Sequence, residues 1–353
     1  MSQRLAWPDI ARGASVLLVV LHHVVRQMEA QAPSTWMNAA DAWSAADQFL
    51  TPIRIPFFFF ISGFLVARAI QGSLRQNRKP WLVPAYLYVI WSTLLTLRLL
   101  LPAASSEHTF ASNLLGNLLL AGSGYWYLYA LPLYFLYTHL TRSWKGWIAS
   151  VPLVALLVAR EPLTEWTTSI GYSTMDSASL LGSVFANGIF FWLGARYGKQ
   201  IVHVFAGRGA LWVLGTVAVY SIVQLTAMLA KITVIVLPLA SILGIAVGIM
   251  LTSGLSGDHG VIRGIRYIGQ RTLPVYVLQF FFISVLSLAW GRLGQLPAIA
   301  DAAAASWVYP IVITAAAASV SLLFYAIAMR TRALSWLFVP PAALTRKRTE
   351  TRN

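Results

Sequence analysis

Apolar residues in this chain come in long runs, and the polar positions collect between them. A helix that crosses a bilayer needs about 20 predominantly apolar residues. Ten stretches approach that length: 9–27, 53–71, 81–101, 123–141, 146–160, 179–197, 210–229, 233–252, 271–291 and 305–329. Residues 38–50 read as an amphipathic or re-entrant segment ahead of the second stretch. The pattern predicts an all-α polytopic membrane protein with about ten transmembrane helices. No internal repeat is visible. The chain reads as one transmembrane domain, 1–335, with a short basic cytoplasmic tail, 336–353.

Composition agrees. The 353 residues are 58% hydrophobic and only 10% charged, against about a quarter charged in an ordinary soluble domain. Cysteine is absent, which excludes disulfides, thiolate nucleophiles and Cys-ligated metals. The net charge of +15 suits nucleic acid in principle. In a membrane protein the simpler cause is Lys and Arg gathered on the cytoplasmic face, so no nucleic-acid partner is expected. With the N-terminus inside, the outer segments hold only Arg26, Arg54, Arg98, Arg160, Lys231 and Arg292 of the 26 Lys and Arg. That bias predicts cytoplasmic termini at both ends. The first apolar run carries Asp9 and Arg12 and lacks a small-residue cleavage site, so it is expected to remain as the first span.

That first run, "DIARGASVLLVVLHHVV" (9–25), places costly groups in a lipid-facing sequence. A charge at the centre of a span costs at least ~2.5–3.5 kcal/mol, which makes such a residue a functional candidate by default. On a helix, Arg12 and His23 fall within about 20° of one face and about 16 Å apart along the axis. His22 points about 80° away from Arg12. Asp9 and Arg12, three residues apart, can pair. The bland alternative is that Asp9 and Arg12 snorkel at one interface while the histidines mark the other. Adjacent histidines splay apart on a helix and no third ligand accompanies them, so no metal site is expected.

These residues resemble the opening of the acyltransferase-3 family, integral-membrane O-acyltransferases of bacteria. That family carries Asp-x-x-Arg-Gly in its first span, with His following the Arg after ten intervening residues. Asp9, Arg12, Gly13 and His23 fit this spacing. A Phe-Phe-x-x-Ser-Gly-Phe-Leu stretch of the family is matched by Phe59 to Leu65, including Ser62. The following loop has Arg75-x-x-Arg78, where the family has an Arg-x-x-Arg element attributed to acyl-CoA binding. Two guanidinium groups at that spacing suit phosphate oxygens, although positive-inside charge alone also accounts for them. "YWYLYALPLYF" (125–135), with Trp126 and Tyr127, is similar to an aromatic family span. "IGQRTLPVYVLQFFF" (268–282) is similar to a late one. Many relatives have His where this chain has Gln279, so Gln279 is read as substrate-binding or as an interhelical hydrogen bonder.

The resemblance implies a membrane O-acyltransferase of the bacterial inner membrane. It would move an acetyl group from cytosolic acetyl-CoA to a hydroxyl of a surface polysaccharide or lipid-linked sugar on the outer side. The expected catalytic residues are His23, Arg12 and Asp9. Arg75, Arg78 and Arg12 would hold the donor; Ser62, Trp126, Tyr127 and Gln279 would line the acceptor. No permanently bound cofactor is expected, since acetyl-CoA is the donor substrate. The donor's pantetheine arm is expected to run along the Arg12–His23 stripe. The chief alternative is a secondary transporter of a sugar, glycan or drug. Carriers commonly place acids within spans and show repeats, and neither is seen here. A non-catalytic partner of a polysaccharide secretion complex is a second alternative.

Overall fold

The computed structural model describes residues 6–31, 33–97, 110–169, 177–255, 259–293 and 303–345. Within them the chain is all-helical, with no strand. The helices are α1 (Trp7–Gln31), α2 (Met37–Gln71), α3 (Lys79–Leu97), α4 (Phe110–Leu119), α5 (Trp126–Leu140), α6 (Gly146–Val158), α7 (Arg160–Ser169), α8 (Ser177–Phe205), α9 (Ala210–Leu229), α10 (Thr233–Gly254), α11 (Gly260–Gly269), α12 (Thr272–Leu293) and α13 (Ala303–Arg330), followed by two single turns. Helix lies at each of the ten apolar stretches. Among the described residues seven helices are long and apolar enough to cross a membrane. An eighth candidate is the pair α6–α7, bent by 56°. The stretches 123–141 and 179–197 are helical, as α5 and α8, but fall outside that criterion. The protein is a multi-pass membrane protein. Residues 98–101 of the third stretch and 346–353 of the tail lie outside the described residues.

The chain divides into two compact units. The first comprises Met1–Ile61 and Lys199–Arg330; the second comprises Ser62–Gly198 and Thr331–Asn353. Two of the three boundaries fall inside α2 and inside α8, and the third at the end of α13.

In the first unit α1 packs against α10, α11, α12 and α13. Val16, Val20 and Val24, one turn apart, are fully buried. The contact with α11 is made through glycines. A Cβ on Gly13 would land on the carbonyl oxygen of Ile265, and one on Gly269 would land on the carbonyl oxygen of Asp9. Small residues at such crossings let two backbones approach closely in a membrane. Between the apolar stretches 233–252 and 271–291 the structure adds an amphipathic helix, α11.

Residues 38–50 are not a separate re-entrant segment: α2 runs unbroken for 35 residues despite Pro52 and Pro56. Its length is about 52 Å, well beyond a hydrocarbon core of about 30 Å. Proline removes one N–H and leaves the carbonyl four residues back without its helical donor. Neighbouring side chains make good the loss. Gln224 Nε2 donates to the carbonyl of Gln48 at 3.1 Å, which is the group Pro52 leaves open. Tyr220, one turn earlier on α9, donates its hydroxyl to the next carbonyl, that of Phe49. On the other helix of this contact, Gly244 and Gly248 of α10 admit Pro52, Ile53 and Phe57. A Cβ at Gly244 would stand 3.0 Å from the Pro52 carbonyl oxygen.

In the second unit the later half of α2 meets α8 by the same device, since a Cβ on Gly63 would land on the Phe191 carbonyl oxygen. Tyr134 donates its hydroxyl to the Val184 carbonyl. The segment after α13 does not hang free at its start. Tyr86 donates to the Trp336 carbonyl at 2.7 Å, and Trp91 Nε1 donates to the Leu337 carbonyl at 2.9 Å.

Candidate active site

Two polar clusters sit on α1 in the first unit. The one near its N-terminus is built around Asp9 and Arg12. Asp9 is buried, at 3% exposure. Gln270, just beyond α11, donates its Nε2 to Asp9 Oδ2 at 3.1 Å. Arg12 donates through Nη2 to the Thr272 hydroxyl at 2.7 Å. Gln270 and Thr272 flank the junction of α11 and α12, so the Gly13–Ile265 contact brings that junction onto Asp9 and Arg12. The glycine of Asp-x-x-Arg-Gly thus has a packing task that serves the two charged residues before it.

The second cluster lies three turns further along α1. His22 and His23 have ring centroids 4.9 Å apart, inclined by 58°. His23 packs on Phe280 of α12, with centroids 4.6 Å apart. His22 turns to the first half of α2, where its Nδ1 meets Asp47 Oδ2 at 2.8 Å. The other carboxylate oxygen of Asp47 accepts from Arg54 Nη1. Arg54 is buried, at 5% exposure. Its Nη2 reaches the Thr51 hydroxyl at 3.3 Å, and that hydroxyl donates to the Asp47 carbonyl at 3.0 Å. Gln279, beside Phe280 in sequence, is completely buried. Neither its Oε1 nor its Nε2 has a hydrogen-bond partner among the described residues.

The face between the two clusters is closed. Val16 and Val19 lie between Arg12 and His23 on the same side of α1 and are buried, at 0% and 3% exposure. The expected pantetheine route along this stripe therefore does not exist as an open groove. Branched side chains that make a helix face apolar also fill it.

The remaining predicted residues belong to the second unit. Ser62 and Tyr127 meet there, hydroxyl to hydroxyl at 2.6 Å. Tyr127 is buried and Trp126 half-buried. Arg75 is exposed in the turn after α2, with its N–H on the Ser73 hydroxyl at 3.3 Å. The turn closes through Asn77, whose N–H donates to the Ser73 carbonyl at 3.0 Å. Arg78 stands at the start of α3, where its carbonyl accepts from the N–H groups of Trp81 and Leu82. A guanidinium at a helix N-terminus adds its charge to the positive end of the helix dipole, a setting that favours phosphate.

The sequence reading missed Gln270 and Thr272, which flank the junction of α11 and α12. It also missed Asp47 and Arg54. Their spacing of seven residues puts them on one side of a helix, a signal that appears only when 37–71 is read as continuous.

Helical membrane architecture with a charged and histidine-bearing first span defines a class, that of multi-pass membrane proteins with buried polar chemistry. A family model described as an acyltransferase domain matches residues 5–326. The chain belongs to the acyltransferase-3 family. The inner membrane protein YcfT of Escherichia coli (strain K12) is 24% identical over 232 residues, covering 57% of this chain and 58% of that relative. The similarity thus spans less than two thirds of the length of that relative. No solved structure matches the chain.

Proposed function

We propose that the protein is an O-acetyltransferase of the bacterial inner membrane. It takes acetyl groups from cytosolic acetyl-CoA and places them on a hydroxyl of a surface polysaccharide or lipid-linked sugar at the outer face. The observation that carries the reading is the paired histidine cluster on α1, with His23 packed on Phe280 and His22 held by Asp47. Histidine suits this chemistry because its ordinary pKa, about 6.5, lies near physiological pH.

In direct transfer, His23 takes the proton of the acceptor hydroxyl as its oxygen attacks the thioester carbonyl. The C–S bond breaks, the ester forms, and the proton passes to the departing CoA sulfur. In the covalent variant, a His23 nitrogen attacks the thioester carbonyl and the C–S bond breaks to release the CoA thiolate. The acceptor hydroxyl oxygen then attacks the acetyl-histidine, the C–N bond breaks, and the hydroxyl proton returns to the imidazole or passes to the thiolate. Arg75 and Arg78 bind the donor's phosphates, and their bidentate guanidinium geometry suits that task. Arg12, steadied by Thr272, and Asp9, steadied by Gln270, serve the donor at the other end of α1. Gln279 offers a buried amide with neither end paired among the described residues. Leaving such a group unsatisfied costs about 1–3 kcal/mol, and a substrate carbonyl or hydroxyl removes that cost. Ser62, Trp126 and Tyr127 contribute to the acceptor side.

The test is turnover. Membranes holding the chain, given acetyl-CoA labelled in the acetyl group and a glycan or lipid-linked sugar extract, are expected to yield labelled ester that mild base releases. A chain that moves unlabelled sugar or drug but transfers no label is a transporter, and the proposal fails.

A further inference from the structure

We propose that Asp47 and Arg54 are positioning residues of the acyl-transfer site: they lock His22 with its Nδ1 proton on Asp47 and thereby fix the histidine pair. The proposal rests on the acyltransferase reading above.

Three ionisable side chains from two membrane helices converge in one line. Arg54 Nη1 donates to Asp47 Oδ1, and His22 Nδ1 meets Asp47 Oδ2 at 2.8 Å. Asp47 and Arg54 have side-chain exposures of 11% and 5%. Buried ion pairs rarely repay their desolvation through their mutual attraction alone, so they are weak devices for stability. Ionisable groups within membrane segments mark functional sites by default. A simple brace within α2 would need Asp47 and Arg54 but has no use for a histidine from α1. The line has a direction. Arg54 can only donate, Asp47 as a carboxylate only accepts, and His22 must therefore give Asp47 the proton on Nδ1. Its Nε2 is then the nitrogen left for proton exchange. A carboxylate that fixes the tautomer and orientation of a histidine is a recurrent device where the imidazole handles protons. Here it acts on the neighbour of the reacting histidine. His22 touches His23 ring to ring, and His23 is closed on its other side by Phe280. A His22 ring free to rotate would loosen one wall of the His23 pocket, and misplacement of reacting groups by about 1 Å can cost on the order of 100-fold in rate.

The test compares Asp47→Asn and Asp47→Glu with the unaltered full chain in liposomes, measuring transfer of labelled acetyl per folded molecule. Asp47→Asn is expected to lower kcat by about 10- to 100-fold while KM for acetyl-CoA stays within about twofold of its original value. Asp47→Glu is expected to recover part of the loss. A structural brace predicts instead a lower melting temperature or yield with kcat per folded molecule unchanged, and that result overturns the proposal. A second measurement does not depend on any variant at Asp47 folding. Nitrogen-15 histidine spectra of the unaltered chain, with His22→Gln for assignment, are expected to show His22 protonated on Nδ1. A His22 protonated on Nε2 alone overturns the proposal. If the unaltered chain transfers no label at all, the acyltransferase reading fails, while the spectrum still decides the contact.

Discussion

Gly13→Ala adds one methyl group, and the structure says that it is costly. The new Cβ would land on the carbonyl oxygen of Ile265, with the Ile265 carbonyl carbon 2.9 Å away. Those are backbone atoms, so no side-chain rotation relieves the clash and α11 must move off α1. Overpacking of this kind costs about 1–3 kcal/mol. The shift also draws Gln270 from Asp9, a hydrogen bond to a charged group worth about 1.5–3 kcal/mol. Alanine recovers about 1 kcal/mol as the better helix former. The net loss is roughly 1.5–5 kcal/mol. Gly264, on α11 itself, supplies the control, because a Cβ there meets nothing within 4 Å. Gly264→Ala is expected to be neutral or to stabilise by about 0.5–1 kcal/mol. Both variants are read by thermal unfolding in one detergent, followed by size-exclusion of the surviving fold. The Gly13→Ala midpoint is expected to fall clearly and acyl transfer to fall with it; the Gly264→Ala midpoint is expected to hold or rise. A Gly13→Ala protein with unaltered midpoint and activity refutes the argument that this glycine docks α11 onto the Asp9–Arg12 cluster.

Other outcomes follow from the same geometry. His23→Ala is expected to abolish acetyl transfer with insertion and abundance near normal, whereas His22→Ala is expected to retain a fraction of kcat; the reverse order in a labelled-acetate assay refutes the assignment of His23 as the reacting residue. Arg75→Lys with Arg78→Lys is expected to raise KM for acetyl-CoA, since a lysine ammonium does not reproduce bidentate contacts. Full activity in that double variant makes the loop a topology signal only. Gln224→Leu is expected to cost about 1–3 kcal/mol, because the Gln48 carbonyl that Pro52 leaves open loses its donor. An unchanged melting temperature shows that another group supplies that bond.

Much of this architecture was legible in the chain, and the failures have physical causes. Apolar runs of spanning length produced helices because a backbone in lipid has few other ways to satisfy its N–H and C=O groups. Asp9, Arg12 and Gly13 stood out in the chain as candidate chemistry, but that Gly13 docks α11 became visible only in the fold. Setting residues 38–50 apart from the stretch 53–71 was the costliest error, because α2 runs on through Pro52 and Pro56. Proline ends a helix when its orphaned carbonyl has no other donor, and the donor to the Gln48 carbonyl, Gln224, lies 176 residues away in sequence. With 38–50 set apart, Asp47 fell outside the second stretch and Arg54 counted as an outer charge. The helix α11 was hidden by Arg263 and Arg266, which counted only as inner charges. Its apolar positions Val261, Ile262, Ile265 and Ile268 already show helical spacing. The burial of Val16 and Val19 could not be read from α1 alone, because the side chains that cover one helix face come from others.

The central claim is that a cytosolic donor serves an acceptor on the opposite side of the membrane. Sealed vesicles of the two orientations test it most directly. Inside-out vesicles are expected to transfer label from acetyl-CoA in the bath to acceptor trapped in the lumen. Right-side-out vesicles are expected to need acetyl-CoA trapped within and to modify acceptor in the bath. Right-side-out vesicles, shown to be sealed, that transfer label equally well from external acetyl-CoA contradict the account.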